Sequence, residues 1–316
     1  MAYEGKTLAA VIPAYCEETQ IGKVITTMPD YVDLIVIVND CSPDRTAEVV
    51  EEYAKKESRV VLVNLEVNEG VGGAIAAGYK WARDNDVDMA VVMAGDGQMD
   101  PKDMPALLAP VIHDGVNYSK ANRLATYDYR QKVPFVRFFG NSVLSLMTKI
   151  ASGYWHVADS QTGYTIADKK VLHTIDWDSM YKRYGQPNDL LIKLNVENFR
   201  VRDVPTEPVY DVGEKSGIKV SRVIFTISNI LLKGFFWRMK EKYIIRDFHP
   251  LVLFYATGVM FMLFSLGFLS RVIAMWILAG DAPILSSMAT MFFFSTGLQS
   301  IFFAMWFDME SNRDLR

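Results

Sequence analysis

Residues 91–101, VVMAGDGQMDP, place two acids, Asp96 and Asp100, around a glutamine, Gln98, at the end of an apolar run. Carboxylate and amide oxygens are hard donors of the kind a divalent cation accepts. Asp100 has a second reading, because Pro101 suits a first helical turn and an aspartate before it suits the cap. Another acid, Asp159, opens the stretch DSQTGY, where it could orient a reactant or cap the turn Ser160–Gly163. Arg123 closes SKANR, and Arg137 and Asn141 fall one turn apart in a helical pattern farther on. Planar guanidinium groups match the oxygens of a phosphate.

These residues need a scaffold. Leu8–Ala14, Leu34–Asn39, Val60–Asn64 and Met89–Ala94 are short apolar runs that read as strands. Helical patterns lie between them at Glu18–Met28, Arg45–Lys56 and Val71–Asn85. Alternating strands and helices imply an α/β fold with a mostly parallel sheet covered on both faces. Polar residues collect directly after the strands: Pro13, Ala14 and Glu17, then Asp40, Asn68, and Asp96 with Asp100. Ligands bind along that carboxyl edge in open α/β sheets. No G-x-G-x-x-G follows the first strand and there is no Walker motif. NEGVGGAIAAG, residues 68–78, reads either as a tight turn or as a helix start whose N–H groups meet an anion. A helix near Asp103–Ile112, a strand near Tyr118–Asn122, a helix over residues 135–153, a strand after Gly163 and a last strand within residues 197–210 complete the domain. Nothing divides the stretch 1–215 in two.

The rest of the chain is different. Leu251–Ser270 and Ala282–Phe307 carry no charge, and twenty residues of helix span about 30 Å, the thickness of a bilayer's hydrocarbon. They read as a transmembrane hairpin over residues 248–308, with 309–316 as a tail. Residues 216–247 read as an amphipathic juxtamembrane segment, with Trp237 as an interface anchor; docking of that helix on the soluble domain is the alternative. Lys233, Arg238, Lys240, Lys242 and Arg246 precede the first span, and only Arg271 lies between the two, so both termini and the soluble domain are expected on the cytosolic side. The stretch MAYEGKTLAAVIPAY shows no basic segment followed by a long apolar run, so no signal peptide is expected. A net charge of -4 argues against a nucleic-acid partner. Two cysteines, Cys16 and Cys41, and four scattered histidines suggest neither a soft-metal site nor a disulfide framework.

VIPAYCEE, VNDCSPDRT, GDGQMDP and DSQTGY, in that order and before a membrane hairpin, resemble family 2 glycosyltransferases of the GT-A fold. The set looks like the branch that loads one sugar onto a polyprenyl or dolichyl phosphate. The resemblance implies that Pro13, Ala14, Tyr15, Glu17, Asp40 and Gly95 line the nucleotide of a nucleotide-sugar donor. It makes Asp96 the second acid of the family's D-x-D, whose first position holds Ala94 here, and Gln98 a helper. Asp96 and Gln98 are then the expected ligands of Mg²⁺ or Mn²⁺, which stabilises a departing diphosphate. Arg123, Arg137 and Asn141 match the segment that grips the lipid phosphate, with asparagine where serine is usual. Asp159 matches an acid near the reacting centre, and Gln161 could meet sugar hydroxyls. Asp96, Asp159, Arg123 and Arg137 form the expected catalytic set. Lys120 reads as a solvated charge or as a direct contact. Asp189 and His156 are possible supports. The expected reaction is inverting transfer of one sugar, with UDP-sugars mildly preferred and a GDP-mannose-using dolichyl-phosphate mannose synthase as the alternative. An inactive, membrane-anchored nucleotide-sugar-binding protein is the non-enzymatic alternative. A processive polysaccharide synthase would carry Q-x-x-R-W and more membrane helices. Small residues in the hairpin leave room for a homo-oligomer.

Overall fold

Strand β1 (Leu8–Ala14) alternates its side chains between two buried faces, which is why its apolar run is unbroken. Ala9 and Val11 enter one core layer, while Leu8, Ala10 and Ile12 enter the other. β2 (Leu34–Asn39) and β4 (Met89–Val92) do the same, and β3 (Val60–Asn64) forms the sheet edge. The protein is described here by a computed structural model, over residues 3–95, 99–125, 135–206 and 220–316.

Among the described residues the sheet has seven strands, in the order β3-β2-β1-β4-β6-β5-β7. β5 is Tyr118–Asn122, β6 is Thr165–Asp168 and β7 is Val201–Pro205. Only β6 runs against its neighbours, so the sheet is mostly parallel, as expected. β4 stops two residues short of the expected Ala94. Helices α1 (Ile21–Thr26), α2 (Thr46–Ala54) and α3 (Val71–Asp84) connect the first four strands. α4 (Met104–His113) leads to β5, and α5 (Phe135–Ser152) leads to β6. α6 (Lys169–Thr174) and α7 (Gln186–Val196), which the sequence pattern did not mark, precede β7. α3 lies close on the sheet: a Cβ on Gly78 would stand 2.1 Å from Val11 Cγ1. Strand order reverses between β1 and β4, and in open α/β sheets ligands bind outside the carboxyl ends at such a switch point.

The chain forms two compact units, Met1–Phe235 with Leu315–Arg316, and Phe236–Asp314. Helix α8 (Val220–Lys240) runs through the boundary. Within the first unit, Ile227 and Leu231 of α8 pack on Leu144, Ala151 and Ile192. That face is docked on the domain, whereas Phe225, Leu232, Phe236 and Trp237 of the same helix are exposed. The docked alternative therefore holds for one face, while the other presents exposed apolar side chains.

In the second unit, a π-helical turn (Glu241–Arg246) leads to α9 (Leu251–Ala279) and α10 (Ile284–Ser311). Both helices are long and apolar enough to cross a membrane, and most of their surface is exposed. They run past the uncharged stretches, so Arg271 lies inside α9, and the link is the short Gly280–Pro283 segment. Gly280 turns the chain with φ 76, a conformation glycine adopts without strain. The helices touch backbone to backbone, since a Cβ on Gly258 would meet Gly297 O at 3.1 Å. Ser265 Oγ also donates to Thr290 O at 3.1 Å.

Candidate active site

The loops after β1 and β2 are stitched together by backbone donors. Cys16 N donates to Ser42 Oγ (3.2 Å), Glu17 N to Thr46 Oγ1 (2.9 Å) and Glu18 N to Asp44 Oδ2 (3.3 Å). Burial pushes the Asp44 carboxyl up, but the bonds from Thr46 and Glu18 outweigh it and hold the group below its usual range. Pro13 and Ala14 end β1, and Tyr15 stands half-exposed beyond them. Gly95, after β4, is buried against this loop: a Cβ there would lie 3.2 Å from Pro13 O and 3.5 Å from Glu17 Cγ. Expected nucleotide-lining residues from two non-consecutive strands thus converge at the switch point.

Asp40 is used differently. Its carboxylate is buried and accepts from Glu69 N at 2.7 Å and from Gly70 N at 2.8 Å. Gly73 N, one turn on, donates to Lys182 O at 3.0 Å. The glycine-rich stretch does start a helix, and the anion at its N-terminus is the chain's own aspartate. Asp40 thereby fixes the loop that starts α3 beside the end of β2.

A charged cluster occupies the neighbouring part of the edge. Asp159, 3 % exposed at its side chain, accepts from Arg123 Nε at 2.8 Å and from Arg123 Nη2 at 3.3 Å. Such a two-point pairing is the favoured geometry for guanidinium and carboxylate. Arg123 begins directly after β5 and is 42 % exposed. Lys120, on β5, is fully buried; its Nζ donates to Asp159 O and lies 4.0 Å from Asp203 Oδ1 on β7. Lys120 is therefore no solvated charge. Burial pushes its ammonium down, opposed by Asp203 and Asp159. Burial raises the Asp159 carboxyl, but Arg123 and Lys120 overcome it and hold the group below the ordinary carboxylate range. Two cations and two carboxylates thus join β5, β7 and the Asp159 loop.

That loop leans on the end of the glycine–acid stretch. Tyr164 Oη donates to Asp100 O at 3.1 Å, and a Cβ on Gly163 would stand 3.5 Å from Met99 Cε. Asp100 accepts from Lys102 N at 2.9 Å, so it caps the short helical turn at Pro101–Asp103. Gln161 N donates to Asp159 Oδ1 (3.1 Å), and its side chain reaches Asn188 on α7. Asp189 accepts from Tyr181 N at 3.0 Å and pairs with Lys193 at 3.2 Å, fixing α7's first turn. His156 pairs with Val201 O at 2.8 Å, a structural role. Asp96 and Gln98 lie outside the described residues, as do the side chains of Arg137 and Asn141.

Sequence reasoning missed Asp203, Asn188 and a buried group in the second unit. There Arg238 and Asp308, both 0 % exposed, form two bonds of 2.8 and 2.9 Å. Tyr243 Oη donates to Asp308 at 2.7 Å, and Lys242 Nζ donates to Asn312 at 2.9 Å. Burial, with Arg238 adding repulsion, pushes Lys242 down to about 7. Arg238 and Lys242, counted among the basic residues before the first span, are interior. The available signal was Asp308, an acid directly after a long uncharged run.

A mostly parallel sheet with its switch point between β1 and β4, and an acid–arginine pair at the same carboxyl edge, is a ligand-binding type of α/β scaffold. Residues 9–176 match the family described as Glycosyl transferase family 2, and the chain belongs to it. A UDP-N-acetylglucosamine–dolichyl-phosphate N-acetylglucosaminyltransferase of Methanococcus voltae is 30 % identical, over 65 % of this chain and 86 % of that protein. A dolichyl-phosphate β-glucosyltransferase of Trichomonas vaginalis is 24 % identical, over 74 % of this chain and 76 % of that one. Among solved structures, glucosyl-3-phosphoglycerate synthase from Mycobacterium tuberculosis, in complex with Mn²⁺, UDP and glucosyl-3-phosphoglycerate, superposes with a TM-score of 0.56. At 18 % identity, covering 73 % of this chain and 80 % of that one, this likeness establishes the GT-A-like fold alone.

Proposed function

We propose that the protein moves one sugar from a nucleotide sugar, a UDP-sugar by preference, onto a polyprenyl or dolichyl phosphate at the cytosolic face of a membrane. The observation that carries this reading is the buried Asp159 held by a half-exposed Arg123 in a glycosyltransferase that also bears two long, outwardly apolar helices. The names of the relatives with lipid-phosphate acceptors support it.

Pro13, Ala14, Tyr15, Glu17 and Gly95 form the wall for the nucleotide, with Asp40 holding the adjoining rim. Arg123, Arg137 and Asn141 grip the acceptor phosphate. Its second pKa near 6 leaves it largely a dianion at neutral pH, so no strong general base is needed. One phosphate oxygen attacks the anomeric carbon in line as the carbon–oxygen bond to the nucleoside diphosphate breaks, and configuration inverts. Asp159 orients the reactants and keeps Arg123 aimed. The oxygen donors of Asp96 and Gln98 suit a hard divalent cation; Mg²⁺ or Mn²⁺ bound there would neutralise charge on the diphosphate. The apolar hairpin keeps the chain where its lipid acceptor is, shortening the search for it.

The test is incubation of the full-length protein in detergent with polyprenyl phosphate and, separately, UDP-glucose, UDP-N-acetylglucosamine and GDP-mannose. A lipid product heavier by one sugar, lost on chelation of divalent cations, is expected. Sugar delivered only to a water-soluble phosphate ester, or nucleotide binding without any transfer, would overturn the reading.

A further inference from the structure

Asn188, on α7, is fully buried. Its Oδ1 lies 2.9 Å from Thr148 Oγ1 on α5 and 3.2 Å from Gln161 Nε2 in the Asp159 loop. Its Nδ2 is buried with no hydrogen-bond partner among the described residues. An unpaired buried amide is a standing penalty that a leucine of similar size would avoid, so packing alone does not account for asparagine.

Proton counting shows what the amide does. Thr148 has one hydroxyl hydrogen, yet its Oγ1 stands 2.9 Å from both Leu144 O and Asn188. Two arrangements of the network follow. In one, Thr148 donates to Asn188 Oδ1, and Gln161 turns its Nε2 inward to Asn188 and to Ser160 Oγ, 3.0 Å away. Gln161 then offers its Oε1, an acceptor, on its other side. In the second, Thr148 donates to Leu144 O and both amides turn over. Asn188 Nδ2 then donates to Thr148 and to Gln161 Oε1, and Gln161 offers Nε2, a donor. The orientations of the two amides are locked to each other.

We infer that Asn188 is a specificity-determining positioning residue, whose amide decides whether Gln161 offers an acceptor or a donor to a hydroxyl of the transferred sugar. This rests on the reading of the Asp159 loop as the wall of the sugar site. Gln161 suits that task because its backbone N–H is tied to Asp159 and its loop abuts Met99 and Asp100. A site that pairs with a hydroxyl rejects the sugar that lacks or inverts it, because a buried partner is then left unpaired.

The test compares wild type with Asn188→Leu, Asn188→Asp and Gln161→Leu. Each is assayed for kcat/KM with UDP-glucose, UDP-galactose and UDP-N-acetylglucosamine, and for affinity toward UDP alone and toward each UDP-sugar by calorimetry. Asn188→Leu and Gln161→Leu are expected to compress the ratio between the best and second-best donor by about tenfold or more, with UDP affinity unchanged within about twofold. Asn188→Asp can only accept, so it locks Gln161 with its acceptor outward and still discriminates. The half-buried Gln161→Leu carries the same prediction if a change at the buried Asn188 prevents folding. Donor ratios like those of wild type in the Leu variants, or a parallel fall for every donor and for UDP, overturn this inference alone. A wild-type protein that binds no nucleotide sugar overturns the proposed function together with it.

Discussion

Asp159 has water on almost none of its surface, and its charge is sustained by Arg123 on one side and Lys120 beneath it. The two cations have different jobs. Arg123 is half-exposed, so Arg123→Ala is expected to raise the KM for the lipid phosphate at least about tenfold, and to cost less stability than loss of the interior Lys120 because water can reach the space it leaves. Lys120 is interior, and removing one member of a buried charge group leaves the others uncompensated. Lys120→Met is therefore expected to lose about 3–5 kcal/mol in denaturant unfolding, whatever its effect on turnover. Equal stability of the two variants would contradict that division. His156 gives a separate check through pH. Burial, opposed by the Val201 carbonyl and Asp203, lowers its pKa from 6.5, so the unfolded chain takes up the proton first as pH falls. The associated stability is complete above about 6.5 and is lost as pH falls through the depressed folded value. His156→Gln, which can still donate to Val201 O, is expected to flatten the decline in melting temperature between pH 7 and 5. Asp159 and Arg123 were legible as motif members. The interior place of Lys120 was not, because all five residues of β5 are buried and a strand covered on both faces has no polar–apolar alternation to read.

At the scale of elements, β1, β2 and β3 begin and end where their apolar runs do, each run being closed by polar residues, and β5 falls at its expected bounds without such a run. Helix ends were less legible. α1 is shorter than its amphipathic pattern because Glu17 O collects the first turn's donors at Gln20 and Ile21 while Glu17 N is committed to Thr46. α7 stayed hidden because it is buried nearly all round, with Asn188, Asn195 and Gln186 inside, so its polar residues do not mark a solvent face. The Arg238–Asp308 clasp was hidden for a different reason: its partners lie 70 residues apart. It joins the end of α8 to the end of α10 inside the second unit, and Tyr243 and Asn312 complete its bonding. Arg238→Met is expected to destabilise the protein by about 3–5 kcal/mol, because Asp308 stays buried without its guanidinium. Arg238→Met combined with Asp308→Leu is expected to recover most of that loss, since a well-packed apolar pair is about as stable as a buried ion pair. Thermal unfolding of the detergent-solubilised protein reads both. A double variant no better than the single one would mean that the clasp supplies stability beyond compensating its own charges.

For the whole molecule, the sidedness proposed above can be read from residues the protein already carries. Cys16 and Cys41 are its only cysteines, both are exposed, and both follow strands of the sheet, β1 and β2. Burial, followed by the nearby Asp44, raises the Cys16 thiol, so labelling belongs at pH 8 or above, where more thiolate is present. An impermeant maleimide is expected to leave the protein unmodified in intact cells and to label both positions in inverted membrane vesicles. That outcome follows if the excess of Lys and Arg before α9 and after α10 holds those ends in the cytosol. Two of the residues behind that count, Arg238 and Lys242, are interior, yet Lys233, Lys240 and Arg246 still precede the first span, and the link Gly280–Pro283 carries no basic residue. The proposed orientation still rests on those residues. The same reagent tests the proposed nucleotide site, because Cys16 lies between Tyr15 and Glu17 in the wall proposed for it. Added UDP with Mg²⁺ is expected to slow modification of Cys16 severalfold in the inverted vesicles, while the denatured protein reacts at one rate with or without nucleotide. Labelling in intact cells would reverse the proposed topology. Labelling confined to inverted vesicles but indifferent to every nucleotide would keep the topology and move the nucleotide away from the β1 loop.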